Sequence, residues 1–312
     1  MARILTLTLN PALDLTVQVP SVRLGQVNRS DALHTHAAGK GVNVAQVLAD
    51  LGHTLTVSGF LGEANQQPFV QLFAERGFVD EFIRVPGETR SNIKLAEADG
   101  QVTDLNGPGA FVDDAAQAAL LARLVQIAEG FDAVVVAGSL PRGVSVAWFA
   151  ALLESLGQRG LKVALDTSGA ALQAGLATRP WLIKPNTEEL AEVLGTSVQT
   201  PAQQAAAARQ LRARGVEHVV VSQGAEGVNW FGPDGAWHAQ PPKVQVASTV
   251  GAGDSLLAGV LHGLLSGAGA EQGLRTATAI AAMAVSQIGF GIGDPEQLAR
   301  LHNDVSVHTL AE

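Results

Sequence analysis

The sequence predicts an α/β protein whose mostly parallel central sheet is flanked by helices on both faces, with a small β-sheet appended. Three observations predict it. Strand-like runs alternate with helix-period segments along most of the 312 residues. Strand runs such as 133–137 and 163–165 are apolar at every position rather than alternating, as burial on both sides requires. Two stretches, residues 15–35 and 91–105, break the rhythm with paired β patterns of their own.

Taken in order, residues 4–9 alternate Leu5, Leu7 and Leu9 with Thr6 and Thr8 and stop at Asn10-Pro11, so a strand ends in a turn with Asp14 just beyond it. Residues 41–51 repeat Val44, Val47, Leu48 and Leu51 at helical spacing, and Gly52 follows as a stop. A strand over 55–60 and a helix over 69–76, closed by Gly77, come next. Asp113 and Asp114 are caps for a helix over 115–128, which leads into the apolar strand 133–137. Further strands are predicted at 163–165, 181–184 and 219–222, with helices at 146–156, 188–194 and 202–214 between them. Within 91–105, Ala98-Asp99-Gly100 reads as a hairpin turn. The last third carries helices at 254–265, 271–287 and 295–302.

Composition narrows the function. With 47% hydrophobic and 16% charged residues the chain packs a core rather than remaining disordered. The absence of cysteine removes disulfides, thiolate metal sites and thiol catalysis, and fits a reducing compartment, so the cytoplasm is expected. A net charge of −9 repels nucleic acid and anionic membrane, and neither is expected as a partner. No apolar run approaches the ~18 residues of a membrane span. An anionic ligand must therefore be held by local cations or by backbone amides.

One segment supplies such amides. Ser248-Thr249-Val250-Gly251-Ala252-Gly253-Asp254-Ser255 runs directly into a strong helix, so unpaired N–H groups converge where the helix dipole is positive. Asp254 beside them suits a general base that deprotonates a hydroxyl attacking a phosphoryl group; it equally suits a plain helix cap. Gly253-Asp254-Ser255-Leu256 also spells the GDSL string of certain serine hydrolases, but a late Asp-x-x-His base is missing. Gly39-Lys40 is followed by Gly41, so there is no P-loop, and Leu256 replaces the third glycine of a dinucleotide fingerprint.

The helix start at Gly39-Lys40-Gly41-Val42-Asn43 offers one cation and one amide to a sugar hydroxyl or phosphate, or is simply a turn. On a strand, Arg90, Asn92 and Lys94 share a face, which reads either as an anion site or as a charged edge strand. His34 and His36 are a weak metal signal and read as surface residues of a strand.

Several strings together resemble the ribokinase-like sugar kinases of the phosphofructokinase B branch, over almost the whole chain. They are TLTLNPALDLTV from Thr6, AAGKGVNVA from Ala37, GSLPRGV from Gly138, KPNTEEL from Lys184, SQGAEG from Ser222 and STVGAGDS from Ser248. The hairpin NIKLAEADGQVTDLN from Asn92 is most similar to bacterial members that act on fructose 1-phosphate.

The resemblance implies one ribokinase-like kinase domain over 1–312, with segments 15–35 and 91–105 forming a β-sheet lid. It implies transfer of the γ-phosphoryl of ATP to the 6-hydroxyl of fructose 1-phosphate, tagatose 6-phosphate or fructose 6-phosphate being the nearest alternatives and a non-catalytic sugar-phosphate sensor a remote one. Asp254 matches the catalytic base, with Gly251, Ala252 and Gly253 as the anion hole. Asp14, Gly39 and Asn43 match positions that bind sugar hydroxyls, and Lys40, Arg90 and Ser139 positions near the substrate or its phosphate; Lys94 is added on strand geometry alone. Lys184, Asn186, Ser222, Gly224, Gly227 and Ser248 fall in segments that line the ATP groove, and Asn186 with Glu189 forms the Asn-x-x-Glu string that organises Mg²⁺, through water. An apolar face on the accessory sheet needs cover, so a homodimer through that sheet is expected.

Overall fold

The structure is a computed structural model and describes residues 1–310. From the amino end, β1 (Arg3–Thr8) leads into β2 (Ala12–Val19), β3 (Ala32–Ala38) and α1 (Lys40–Asp50); β4 (Thr54–Gly62), α2 (Gln67–Arg76) and β5 (Val79–Val85) follow. Next come β6 (Arg90–Glu97), β7 (Val102–Asn106), α3 (Asp114–Ile127), β8 (Ala133–Ala137), α4 (Val146–Gln158), β9 (Val163–Asp166) and α5 (Gly169–Ala177). Beyond them lie β10 (Leu182–Ile183), α6 (Thr187–Leu194), α7 (Pro201–Ala213), β11 (His218–Ser222), β12 (Val228–Gly232) and β13 (Gly235–Gln240). The carboxyl third holds α8 (Ala252–Leu265), α9 (Ala270–Val285), α10 (Pro295–Asp304) and β14 (Ser306–Thr309).

Ten strands build the main sheet in the order β14-β13-β12-β11-β10-β9-β8-β1-β4-β5. From β11 to β5 every pair is parallel, whereas β11 to β14 are antiparallel. Successive side chains enter two separate cores, because strand residues alternate between faces. Ile4, Val135, Ala164 and Val220 pack with α1, α2, α8, α9 and α10. Leu5, Leu7, Val134, Val136, Leu165, Val219 and Val221 pack with α3 to α7. Helices thus cover both faces, as the apolar strand runs predict.

The antiparallel end was not foreseen. Gly232-Pro233-Asp234-Gly235 turns β12 into β13 and β14 closes the edge, so Trp230, Phe231 and Trp237 lie in strands rather than in a loop. The expected strand over 181–184 shrinks to Leu182–Ile183, which frees Lys184 to leave the sheet. Helix α5 was also missed; its glycines at 169 and 175 weaken any propensity signal.

A second sheet of four strands, in the order β3-β2-β6-β7, stands apart. Its strands extend beyond the expected segments, from Ala12 to Ala38 around an intervening loop and from Arg90 to Asn106. Leu33, Val102 and Leu105 on this sheet remain more than half exposed, at 58%, 57% and 52%.

Helices α8 and α9 pack against each other more closely than ordinary side chains allow. A Cβ at Gly259 would stand 2.4 Å from Cα of Ala277 on α9, so only glycine fits this crossing. No helix among the described residues is long and apolar enough to cross a membrane.

Candidate active site

The parallel strands all point their carboxyl ends toward one cleft, the place where open α/β sheets bind ligands. Its volume is about 350 Å³. The residue after β10, the end of β11, the starts of α1, α6 and α8, and strands β2 and β6 of the second sheet contribute its walls.

Helix α8 opens at Gly251, which holds φ +79° as the N-cap and contributes no side-chain cap. A Cβ at this position would meet the Phe290 ring at 2.8 Å. Ser255 is the first residue of this turn whose N–H closes on the helix, reaching the Gly251 carbonyl at 2.8 Å. Of the amides ahead of it, those of Gly251 and Gly253 lie in residues that line the cleft, whereas Ala252 does not line it and turns its N–H to the Thr249 carbonyl at 3.5 Å, against the expectation that it belongs to the anion hole.

Asp254 is not a cap. Its carboxylate turns across to α1, where Asn43 Nδ2 donates to Oδ2 at 2.8 Å. The residue is 6% exposed, and burial first, then the neighbouring Asp166 charge, push its pKa up to about 6; Lys40, Asn43 and Lys184 pull in the opposite direction. A carboxylate so poised can accept a proton near neutral pH.

Asp166, which the sequence reading left out, is the hub of the site. At 1% exposure it ends β9, and its two oxygens meet Lys40 Nζ at 3.1 Å and Lys184 Nζ at 3.3 Å. Burial pulls the Lys40 pKa down, but Asp166, Asp254 and Glu189 more than offset this, so the ammonium is held charged with a raised pKa. The signal for Asp166 was an acidic residue at the carboxyl end of a buried strand; the predicted strand stopped at Leu165.

At the second sheet, Asp14 accepts from Asn92 Nδ2 at 3.1 Å and from Lys94 Nζ at 2.6 Å. Arg90, Asn92 and Lys94 do share a face and all line the cleft. Lys94, however, is paired rather than free. Arg90 donates to the Asn10 and Pro11 carbonyls at 3.2 and 3.4 Å, and burial lowers its pKa against the pull of Asp14.

Gly39, Lys40, Asn43, Lys184, Asn186, Glu189 and Ser222 also line the cleft. Ser139 does not: it is exposed, and its hydroxyl accepts from Asn10 Nδ2 at 3.1 Å. Gly224 opens a short helical turn behind Ser222 and Gly227 closes it, and both are likewise outside the lining. Ser248 accepts from the Val250 N–H at 3.1 Å and borders an adjoining hollow with Asp14, His36 and Lys94.

Asn186 and Glu189 form a reciprocal cap on α6: Asn186 Oδ1 accepts from the Glu189 N–H at 2.7 Å and Glu189 Oε2 from the Asn186 N–H at 2.9 Å. The second Glu189 oxygen keeps no protein partner among the described residues, and the side chain lines the cleft. One hard oxygen donor suits a cation that retains its waters. No three His, Asp or Glu side chains among the described residues are arranged to hold a metal directly.

The chain is similar to known proteins over almost its whole length. The pfkB family carbohydrate kinase profile matches residues 7–297. A 1-phosphofructokinase of Vibrio cholerae serotype O1 is 47% identical over 308 residues, covering 99% of this chain and 97% of its own. A 1-phosphofructokinase of Escherichia coli K12 is 46% identical over 299 residues, 96% of each chain. Phosphofructokinase-2 from Escherichia coli, solved in complex with substrates and products, superposes with a TM-score of 0.88 at 28% identity, over 96% of this chain and 98% of that one. A glycine-opened helix, a buried carboxylate and a two-sheet cleft thus occur in a chain matched nearly end to end, and the protein belongs to the pfkB family of carbohydrate kinases.

Proposed function

We propose that the protein transfers the γ-phosphoryl group of ATP to the 6-hydroxyl of fructose 1-phosphate, giving fructose 1,6-bisphosphate and ADP. The observation that carries the chemistry is Asp254, buried at the opening of α8 with a pKa of about 6. The choice of sugar follows the 1-phosphofructokinases to which the chain is 46–47% identical.

In this mechanism the sugar lies between the second sheet and α1, with Asp14, Asn92, Asn43 and the Gly39 backbone meeting its hydroxyls. Arg90 and Lys94 face the phosphate already on the sugar. Lys40, fixed to Asp166, stands at the reacting end instead, and with Lys184 offsets the charge of the transferring group. Asp254 takes the proton of the 6-hydroxyl as its oxygen bonds to the γ-phosphorus and the bond to the ADP oxygen breaks. The amides of Gly251 and Gly253 draw off developing negative charge. ATP lies along Lys184, Asn186 and Ser222, with the Gly224–Gly227 turn and Ser248 bordering it. Glu189 and Asn186 would hold Mg²⁺ through water, and the ion would supply neutralisation of phosphate charge. The second sheet acts as the lid, and exposed Leu33 and Leu105, on its face away from Asp14, Asn92 and Lys94, belong to the face of a homodimer, readable as a dimer mass in light scattering.

ADP release measured with fructose 1-phosphate, fructose 6-phosphate, tagatose 6-phosphate and free fructose tests the reading. Two charge-assisted phosphate contacts at ~1.5–3 kcal/mol each make free fructose poorer by about 10²-fold or more in kcat/KM. Equal kcat/KM for fructose and fructose 1-phosphate refutes it; a preference for either other sugar phosphate moves the assignment within the family, and no ADP with any sugar leaves a sensor.

A further inference from the structure

The turn after β11 is held from within by a chain of side-chain amides that none of the steps above uses. Gln204 on α7 and Asn229 on β12 are wholly buried, each at 0% exposure. His238 Nδ1 meets Asn229 Oδ1 at 2.6 Å, Asn229 Nδ2 donates to Gln204 Oε1 at 2.7 Å, and Gln204 Nε2 donates to Gln223 Oε1 at 3.0 Å. Gln223 opens the turn over residues 223–227: its N–H donates to the Gly227 carbonyl, and its carbonyl accepts from the Glu226 N–H. From the outer side, Gln240 Nε2 donates to the Ala225 carbonyl at 2.8 Å.

Apolar side chains would fill the space between α7 and β12 without the desolvation cost of two buried amides. What a satisfied polar chain supplies instead is a single allowed arrangement, since any shift leaves a buried donor or acceptor unpaired. Here that constraint ends at Gln223, next to Ser222 on the cleft wall. We infer that Gln204, Asn229 and Gln223 act as one positioning unit that sets the 222–227 segment against the nucleotide, and so governs ATP affinity without touching ATP. The inference rests on the proposal that this segment borders the nucleotide.

The test is steady-state kinetics with both substrates on Gln204→Leu, Gln223→Leu and the double variant, with thermal melting alongside. Each single variant is expected to raise KM for ATP by about three- to tenfold, the worth of one lost hydrogen bond, with kcat and KM for the sugar phosphate changed by less than about twofold. The double variant is expected to be no worse than Gln204→Leu, because both break the same chain. Gln223 is only half-buried, so Gln223→Leu keeps a folded readout if Gln204→Leu unfolds. Unchanged KM for ATP, parallel rises in both KM values with a fall in melting temperature, or additive effects in the double variant overturns the inference. Ser222→Ala separates the two claims: if it raises KM for ATP while Gln204→Leu and Gln223→Leu do not, the positioning unit alone fails; if all three leave it unchanged, the nucleotide reading of the segment fails as well.

Discussion

Replacing Asp254 with asparagine should cripple turnover and at the same time stabilise the fold. Its carboxyl titrates at about 6 in the folded chain, against 3.8 as an ordinary aspartate, because burial and the Asp166 charge disfavour ionisation. The difference is 6 − 3.8, about 2 pKa units, which at ~1.36 kcal/mol per unit is about 3 kcal/mol. The sign follows from linkage. A raised folded pKa means that favourable protonation, present below the unfolded value of 3.8, is lost as pH rises through 6. Above that, the wild-type protein carries the full cost of a buried charge. The asparagine side chain carries none, and its amide oxygen still accepts from Asn43. Urea denaturation without ligands should therefore find Asp254→Asn more stable by about 3 kcal/mol at pH 8, by roughly half that at pH 5, and by little below pH 4. The same variant should lose about 10²-fold or more in kcat, with the smaller change in KM. A variant that is less stable at pH 8, or whose advantage does not vary with pH, refutes the electrostatic account of this carboxylate; retained turnover refutes its role as base.

Two further outcomes follow from the same geometry. Asp166→Asn removes a charge that raises the Asp254 pKa and frees both lysines to lower it, so the acid limb of kcat/KM, near pH 6 in the wild type, should move to lower pH; an unmoved limb refutes the coupling. Gly251→Ala places a methyl group at φ +79° and against Phe290, at a cost of about 1–2 kcal/mol of conformational strain before any ring movement, so melting temperature and kcat should both fall, kcat by about tenfold or more; unchanged kcat refutes the anion-hole reading.

What could be read from the sequence was whatever a short window contains. The run Ala133–Ala137 is apolar at every position, and the strand occupies those residues. The Gly251-Ala252-Gly253-Asp254 string declared a helix opening by its composition alone. Whether Asp254 caps that helix or serves chemistry was not readable there, because the answer is a hydrogen bond from Asn43, 211 residues away. The same limit explains Lys94: strand alternation placed it on the face of Arg90 and Asn92, but its partner Asp14 belongs to a strand 80 residues distant. Asp166 was passed over because an apolar-run criterion stops where the charge begins, yet a charge at that end of a buried strand is the informative residue. The β12–β14 end was hidden by turn residues and tryptophans that carry no regular period.

The glycine crossing between α8 and α9 makes the reaction sensitive to positions that meet no ligand. Gly259 lies five residues beyond Asp254, about 7.5 Å along one rigid cylinder. A methyl group there has 2.4 Å to the facing backbone, so α8 must slide or tilt away, carrying the proton acceptor and its amides with it. Displacements near 1 Å are enough to cost about 10²-fold in an aligned transfer. The back of this helix therefore tolerates substitution in this chain as little as its mouth does, and a loss of turnover mapped to Gly259 reports a shifted strut rather than a missing contact.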